Sequence, residues 1–300
     1  MSKKHPVIAV TGSSGAGTTT VKNAFEHIFY RENINPLVLE GDSFHRFDRA
    51  DMKIAMAQAA EKGDHSFSHF GPQANFFDKI AETFKNYGET GTCKRRYYIH
   101  SDDEAKEHNA RLGGTSYTAG QFTPWEEISE KTDLLFYEGL HGCARDDANG
   151  IDVSQFADLK VGVVPIVNLE WIQKIFRDNS QRGYSAEAIV DTILRRMPDY
   201  INFITPQFSH TDINFQRVPT VDTSDPFIAR DIPTPDESFV VIRFKDPKKS
   251  KVDFPYLLSM LDDSFMSRRN TIVVPGGKMG FAMELTLAPL IHDLIEGSRA

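Results

Sequence analysis

The segment from Val7 to Phe29 limits this chain more than any other. Val7, Ile8, Ala9, Val10 and Thr11 form an apolar, β-branched run that predicts a short buried strand. Gly12, Gly15 and Gly17 follow. Val21, Ala24, Phe25, Ile28 and Phe29 then recur at i, i+3, i+4, i+7 and i+8, which predicts an amphipathic helix. Strand, glycine loop and helix together suit a phosphate cradle. Glycines let backbone N–H groups close on an anion, and the helix N-terminus adds partial positive charge. Gly12, Ser13, Ser14, Gly15, Ala16, Gly17, Thr18, Thr19 and Thr20 match the Walker A spacing with one departure. Thr19 holds the Mg²⁺-binding hydroxyl position, while Thr18 stands where the lysine belongs. The alternative is a glycine-rich turn without a ligand; the context and spacing favour the phosphate loop.

The rest of the chain must complete an α/β domain. Leu37 to Glu40 predicts a second strand, with Asp42, His45, Arg46 and Arg49 just beyond it. Ligands of open α/β sheets bind beyond the carboxyl ends of the strands, so this cluster falls near the loop. From position alone, Asp42 is equally a functional carboxylate or a helix N-cap. Residues 51–62 and 73–87 have helical spacing, and Met52, Ala55, Met56 and Ala59 predict a core-facing stripe on the first of them. His65 and His69 lie in a loop-like stretch and read as surface histidines. Asp133 to Gly139 predicts an apolar strand ending in Glu138, the shape of a Walker B strand whose acid serves a metal; the alternative is a strand-end Glu facing water, and the preceding glycine loop favours the first. Lys160 to Val167 predicts another buried strand, followed by a helix bearing Lys174, Arg177 and Asp178, with Arg182 just past it. Those cations suit either a solvated face or a lid that closes on phosphates.

Beyond Thr205 the texture changes. Gln207 to Val218, Phe239 to Phe244 and Ile272 to Val274 predict strands separated by Pro- and Asp-rich turns, with a closing helix over 278–296. The fold expected is α/β: a mostly parallel central sheet flanked by helices, of the P-loop NTPase type, with an antiparallel extension in the C-terminal third. One domain over residues 1–300 is expected. Arg95 to His100 could be a strand, whereas 101–131 reads as an irregular peripheral insert or flap.

Composition narrows the partners. The net charge of −8 and a pI near 5.7 argue against nonspecific nucleic-acid binding. Cys93 and Cys143 form neither a disulfide framework nor a zinc spacing, and no apolar run approaches a membrane span. No signal core precedes the first strand, so a cytoplasmic protein is expected.

Together the motifs resemble the bacterial-type phosphoribulokinases. The resemblance runs through Gly12–Thr20, Glu40–Arg46, Phe136–Gly142, Trp171–Asp178, Arg182–Tyr184 and Thr211–Pro219. The missing Walker lysine is a feature of that family too. The resemblance implies transfer of phosphate from ATP, with Mg²⁺, to O1 of D-ribulose 5-phosphate, giving the CO₂ acceptor of the Calvin cycle. It implies Asp42 as general base and Glu138 at Mg·ATP. It places His45, Arg49, Lys174 and Arg182 on the sugar phosphate, and Arg177 and Asp178 in the same active-site segment. It also implies a homo-oligomer, typically an octamer, activated by NADH and inhibited by AMP, with Arg31, Arg243 and Arg268 at positions tied to that regulation. A uridine- or pantothenate-type kinase is one alternative, although those acceptors lack the phosphate that would explain His45, Arg46 and Arg49. A non-catalytic nucleotide-binding regulator is another; binding ATP needs no base, which argues against it.

Overall fold

The computed structural model describes residues 4–12, 18–114, 116–128, 130–228 and 231–299. Ser13, Ser14, Gly15, Ala16 and Gly17, the middle of the expected phosphate loop, lie outside the described residues, as do the side chains of Thr18, Thr19 and Arg182.

The chain opens with β1 (Val7–Gly12), α1 (Thr18–Arg31) and β2 (Pro36–Glu40). Next come α2 (Arg49–Glu61), α3 (Phe77–Thr90), β3 (Lys94–Arg95), α4 (Asp102–Leu112) and β4 (Glu126–Glu127). β5 (Leu134–Gly139), β6 (Arg145–Asp146), β7 (Ile151–Asp152) and β8 (Leu159–Val164) lead into α5 (Val167–Arg182) and α6 (Ala186–Asp199). The chain closes with β9 (Ile213–Pro219), β10 (Ser238–Phe244), α7 (Phe254–Met260), β11 (Phe265–Arg268), β12 (Thr271–Pro275) and α8 (Met279–Arg299).

Eight strands form one sheet in the order β11-β12-β10-β9-β8-β1-β5-β2. From β2 to β9 the neighbours run parallel; β9, β10, β12 and β11 pair antiparallel. The expected parallel sheet with an antiparallel C-terminal extension is therefore present. Both faces are covered, which explains the continuous apolar runs of β1 and β5. Ile8, Val10, Leu134 and Phe136 pack on one side with Val21, Phe25 and Ile28 of α1 and with α8. Val7, Ala9, Leu135 and Tyr137 pack on the other with Phe77, Ile80 and Phe84 of α3. Each such side chain, wholly removed from water, contributes about 1.5–3 kcal/mol.

Several expectations need correction. Of the α2 stripe only Met52 is buried; Ala55, Met56 and Ala59 remain partly exposed. Residues 102–112 form a helix rather than an irregular segment, capped by Ser101, whose Oγ accepts from the Glu104 N–H. Helical periodicity fails there because Ala105 is its one buried residue. Thr205–Ser209 is a 3₁₀ turn, and the strand expected from Gln207 begins at Ile213. Gln207 does a different job: its buried amide accepts from Thr11 Oγ1 and the Cys143 N–H and donates to the Leu140 carbonyl. One side chain so ties the end of β1 to the turn after β5. On α6, Ile189 and Ile193 are buried, but Leu194 and the following Ile201 are more than half exposed.

Candidate active site

Register brings the acids to the phosphate loop. Glu40 lies opposite Glu138 across the β2–β5 pair, and Glu138 lies opposite Val10, two residues before the loop glycine Gly12. Beyond the acids the two chains pinch together. A Cβ on Gly41 would fall 2.8 Å from the Gly139 Cα, and one on Gly139 would fall 2.6 Å from the Gly41 Cα. Only glycine fits at either place without moving backbone.

Asp42 sits in the 3₁₀ turn Gly41–Phe44 directly after β2. It is not a helix cap. Glu40 holds the cap position of that turn without a side-chain cap bond, and Asp48 caps α2. The Asp42 carboxylate instead faces histidines: His45 Nε2 at 3.3 Å and His100 Nε2 at 3.9 Å. Water reaches 43% of its side chain. Burial pushes its pKa up, but the hydrogen bond and charge of His45, with His100 and His69, outweigh it and hold the group at about 2. Asp42 is therefore a carboxylate throughout the neutral range and open to a ligand.

Of the histidines around it, His45 and His141 are buried. The His69 ring centroid lies 4.6 Å from that of His45, the planes tilted by 42°. Burial, and then the neighbouring His45 charge, depress His69 to about 3; His141 falls to about 3 for the same two reasons. Both stay neutral near pH 7. The surface reading of His69 is thus wrong: its loop folds onto α6, where Ser68 Oγ donates to Asp199 at 2.8 Å. Sequence reasoning also missed Asn75, Arg96 and His100. Arg96 Nε donates to the Ser43 carbonyl at 2.6 Å and its Nη2 to that of His45, which splints the Asp42 turn. His100, immediately before the insert, reaches both Glu40 and Asp42. Arg49 opens α2 beside the insert, its N–H bonded to the Gly120 carbonyl at 2.9 Å. The insert therefore borders the site instead of lying apart from it. Arg46 turns the other way, over the Phe76 ring and toward Asp78.

The cations of α5 meet at a buried acid. Lys174 Nζ donates to Asp178 Oδ2, and Arg177 Nε donates to Asp178 Oδ1 at 3.1 Å. Burial raises the Asp178 pKa, but Lys174 and Arg177 more than reverse that. On α6, Arg196 acts electrostatically on both Lys174 and His69 and so links α5 to the Asp42 side.

Burial first, and then the charges of Glu40 and Asp42, raise Glu138 to about 7; Lys22 opposes them. A gathering of carboxylate oxygens short of cations fits a hard divalent ion. The donors suit such an ion arriving with phosphates, and among the described residues no three metal-ligating side chains form a cage of their own. The sign of the linkage is definite. Glu138 titrates higher folded than unfolded, so its contribution is complete below about pH 4.5 and lost as pH rises through about 7. Glu138→Gln, in chelator-treated buffer, should therefore be more stable than the parent by about 1–3 kcal/mol at pH 8 and indistinguishable at pH 4.5. Thermal melts at the two pH values check this; equal differences at both would remove the assignment.

The comparisons fit this geometry. The model of the phosphoribulokinase / uridine kinase family matches residues 7–224, which include β1, Asp42, Glu138 and the α5 cations. This chain belongs to that family. Its resemblance to phosphoribulokinases spans the whole chain. A phosphoribulokinase of Nitrobacter vulgaris is 58% identical over 99% of this chain and 98% of its own length. The chromosomal phosphoribulokinase of Cupriavidus necator is 57% identical with the same coverage. The solved phosphoribulokinase from Rhodobacter spheroides superposes with a TM-score of 0.88 at 51% identity, covering all of both chains. Membership in the kinase family brings use of ATP with a divalent metal ion.

Proposed function

We propose that the chain transfers the γ-phosphoryl group of ATP to O1 of D-ribulose 5-phosphate, giving D-ribulose 1,5-bisphosphate and ADP, the step that forms the CO₂ acceptor of the Calvin cycle. The observation that carries this reading is the ionised Asp42 carboxylate, held by histidines beside Glu138 at the ends of neighbouring strands. Phosphoryl transfer through a loose transition state needs position and charge neutralisation, with little covalent work from the protein. Asp42 accepts the proton of the acceptor hydroxyl. Its low basicity is tolerable where that proton moves late. His45, Arg49, Lys174 and Arg182 address the sugar phosphate. Backbone N–H groups from Gly12 to Thr20 hold the nucleotide phosphates. Thr19 and Glu138 would hold Mg²⁺, which neutralises phosphate charge when bound with ATP. A coupled ADP-release assay with D-ribulose 5-phosphate, uridine and pantothenate tests the assignment. Turnover with the first substrate is expected, and turnover with another in its place would overturn it.

Regulation belongs to the same reading: NADH activates, AMP inhibits, and the chain works as a homo-oligomer, an octamer, in the cytoplasm as one domain. In support, Arg243 and Arg268 line one cavity of about 550 Å³ between β9, β10 and the β11–β12 hairpin. Arg31 is not among its lining residues; it pairs with Glu32 and Glu284 where α1 meets α8. Arg243→Ala should blunt the response to both nucleotides and keep kcat within about 3-fold at saturating substrates. Rate curves of parent and variant against NADH and AMP decide it; a parent insensitive to both nucleotides would sink the regulatory reading. Among the described residues, no helix is long and apolar enough to cross a membrane.

A further inference from the structure

His45 meets two partners whose hydrogen-bonding capacities are fixed. Its Nδ1 lies 2.6 Å from Asn75 Oδ1. Asn75 is wholly buried, and its Nδ2 lies 2.7 Å from each of two acceptors, the carbonyls of His69 and Gly71. Both protons of that amide are thereby used. Turning the amide over would set its oxygen against two carbonyl oxygens, so the Asn75 Oδ1 can only accept. The proton between Asn75 and His45 must then belong to His45 Nδ1. The other ring nitrogen, Nε2, faces Asp42 Oδ1 at 3.3 Å. A bare Nε2 would point its lone pair at a carboxylate, whereas a protonated one is attracted to it.

We propose that Asn75 is a positioning residue for phosphoryl transfer: it fixes the His45 proton on Nδ1, so that His45 engages the Asp42 carboxylate only through a second proton on Nε2. The ring can then attract the Asp42 carboxylate only by taking that second proton, and the carboxylate's other lone pairs are left for the acceptor hydroxyl. The His69 ring lies against that of His45, tilted by 42°, and both His69 and His141 are neutral near pH 7. His100 faces Asp42 from the far side, with Glu40 beyond it, and Arg96 is spent on the His45 and Ser43 carbonyls. Arg49 follows on the next helix, and Glu138 adds to the negative field at Asp42. A rival role for Asn75 is purely mechanical, since its two donor bonds pin the turn from His69 to Gly71.

The inference rests on the roles given above to Asp42 and His45, and the experiment separates the two. In the ¹⁵N-histidine spectrum of the full-length enzyme, assigned by comparison with His45→Asn, His45 Nδ1 should carry the shift of a protonated nitrogen near pH 7. A bare Nδ1 in the parent would overturn the proposal without recourse to any variant. Kinetics give the second readout. Asn75→Leu removes the acceptor and should lower kcat/KM for the sugar phosphate by roughly 10- to 100-fold, with KM for ATP within about 3-fold. Asn75→Asp keeps the acceptor but loses both turn-pinning donors, and should stay within about 5-fold of the parent. In the His45→Asn background, Asn75→Leu should cost nothing further, because its effect passes through His45. Equal damage from Asn75→Asp and Asn75→Leu, or an undiminished cost in the His45→Asn background, would assign Asn75 to the turn alone. Near-normal turnover by His45→Asn itself would instead reject the role of His45, whatever tautomer the spectrum reveals.

Discussion

Asp42→Asn should lower kcat by about 10²-fold or more and leave ATP affinity within a few-fold. The amide is nearly isosteric, so the turn and its Arg96 splint should survive. What disappears is the proton acceptor, and a positioned base typically contributes about 10²–10⁴-fold. Asn also forfeits the charge that attracts His45 and His100, so the histidines lose the anion they face. Single-turnover rates with bound ATP, together with nucleotide titration, separate the two effects. A variant with nearly the parent rate would reduce Asp42 to an anchor for its histidines and end the general-base mechanism.

Lys174→Met or Arg177→Ala should cut kcat/KM by roughly 10²-fold or more, a loss of about 2.7 kcal/mol or greater in transition-state stabilisation. Thr18 has neither the charge nor the reach of the usual P-loop lysine, so a cation must come from elsewhere. In the structure Lys174 and Arg177 share Asp178, which is only 4% exposed. That buried acid keeps two cations on one turn of α5, aligned before substrate arrives. Charges that approach a phosphoryl group only on closure act on the transition state more than on ground-state binding. The loss should therefore fall mainly on kcat. Steady-state kinetics beside thermal melts check this, since either change leaves Asp178 one cation short inside the protein. Near-normal kcat/KM in both variants would make the pair structural counter-charges of Asp178, without a part in phosphoryl transfer.

The sheet was legible because its strands are buried on both faces. Val7 to Val10 and Leu134 to Tyr137 must be apolar at every position, and such runs stand out. The acids at the strand ends gained weight only from the glycine loop, since by position alone Asp42 could equally cap a helix and Glu138 face water. Helix α4 escaped because its periodicity is nearly absent; the signal present was the capping pattern from Ser101 to Glu104. Helix α2 misled in the opposite way, since its alanine and methionine stripe mimics a core face that stays half open. His69, Arg96 and Asn75 were not legible at all. Each reaches the site from an irregular segment, and only tertiary contact reveals what a lone histidine, arginine or asparagine meets. His100 hid for the same reason beside an insert that looked peripheral.

The facing glycines at 41 and 139 set the gauge of the site. Because a Cβ on either residue would crowd the other's backbone, the two turns that follow the acids can lie this close only as glycines. The backbone spacing of Glu40 and Glu138 therefore depends on two residues that carry no side chain themselves. A side chain added at either place would push the turns apart and widen the floor. Altered acceptor preference can thus enter from below, by a change far smaller than remodelling the walls that α5 and the insert around Gly120 provide.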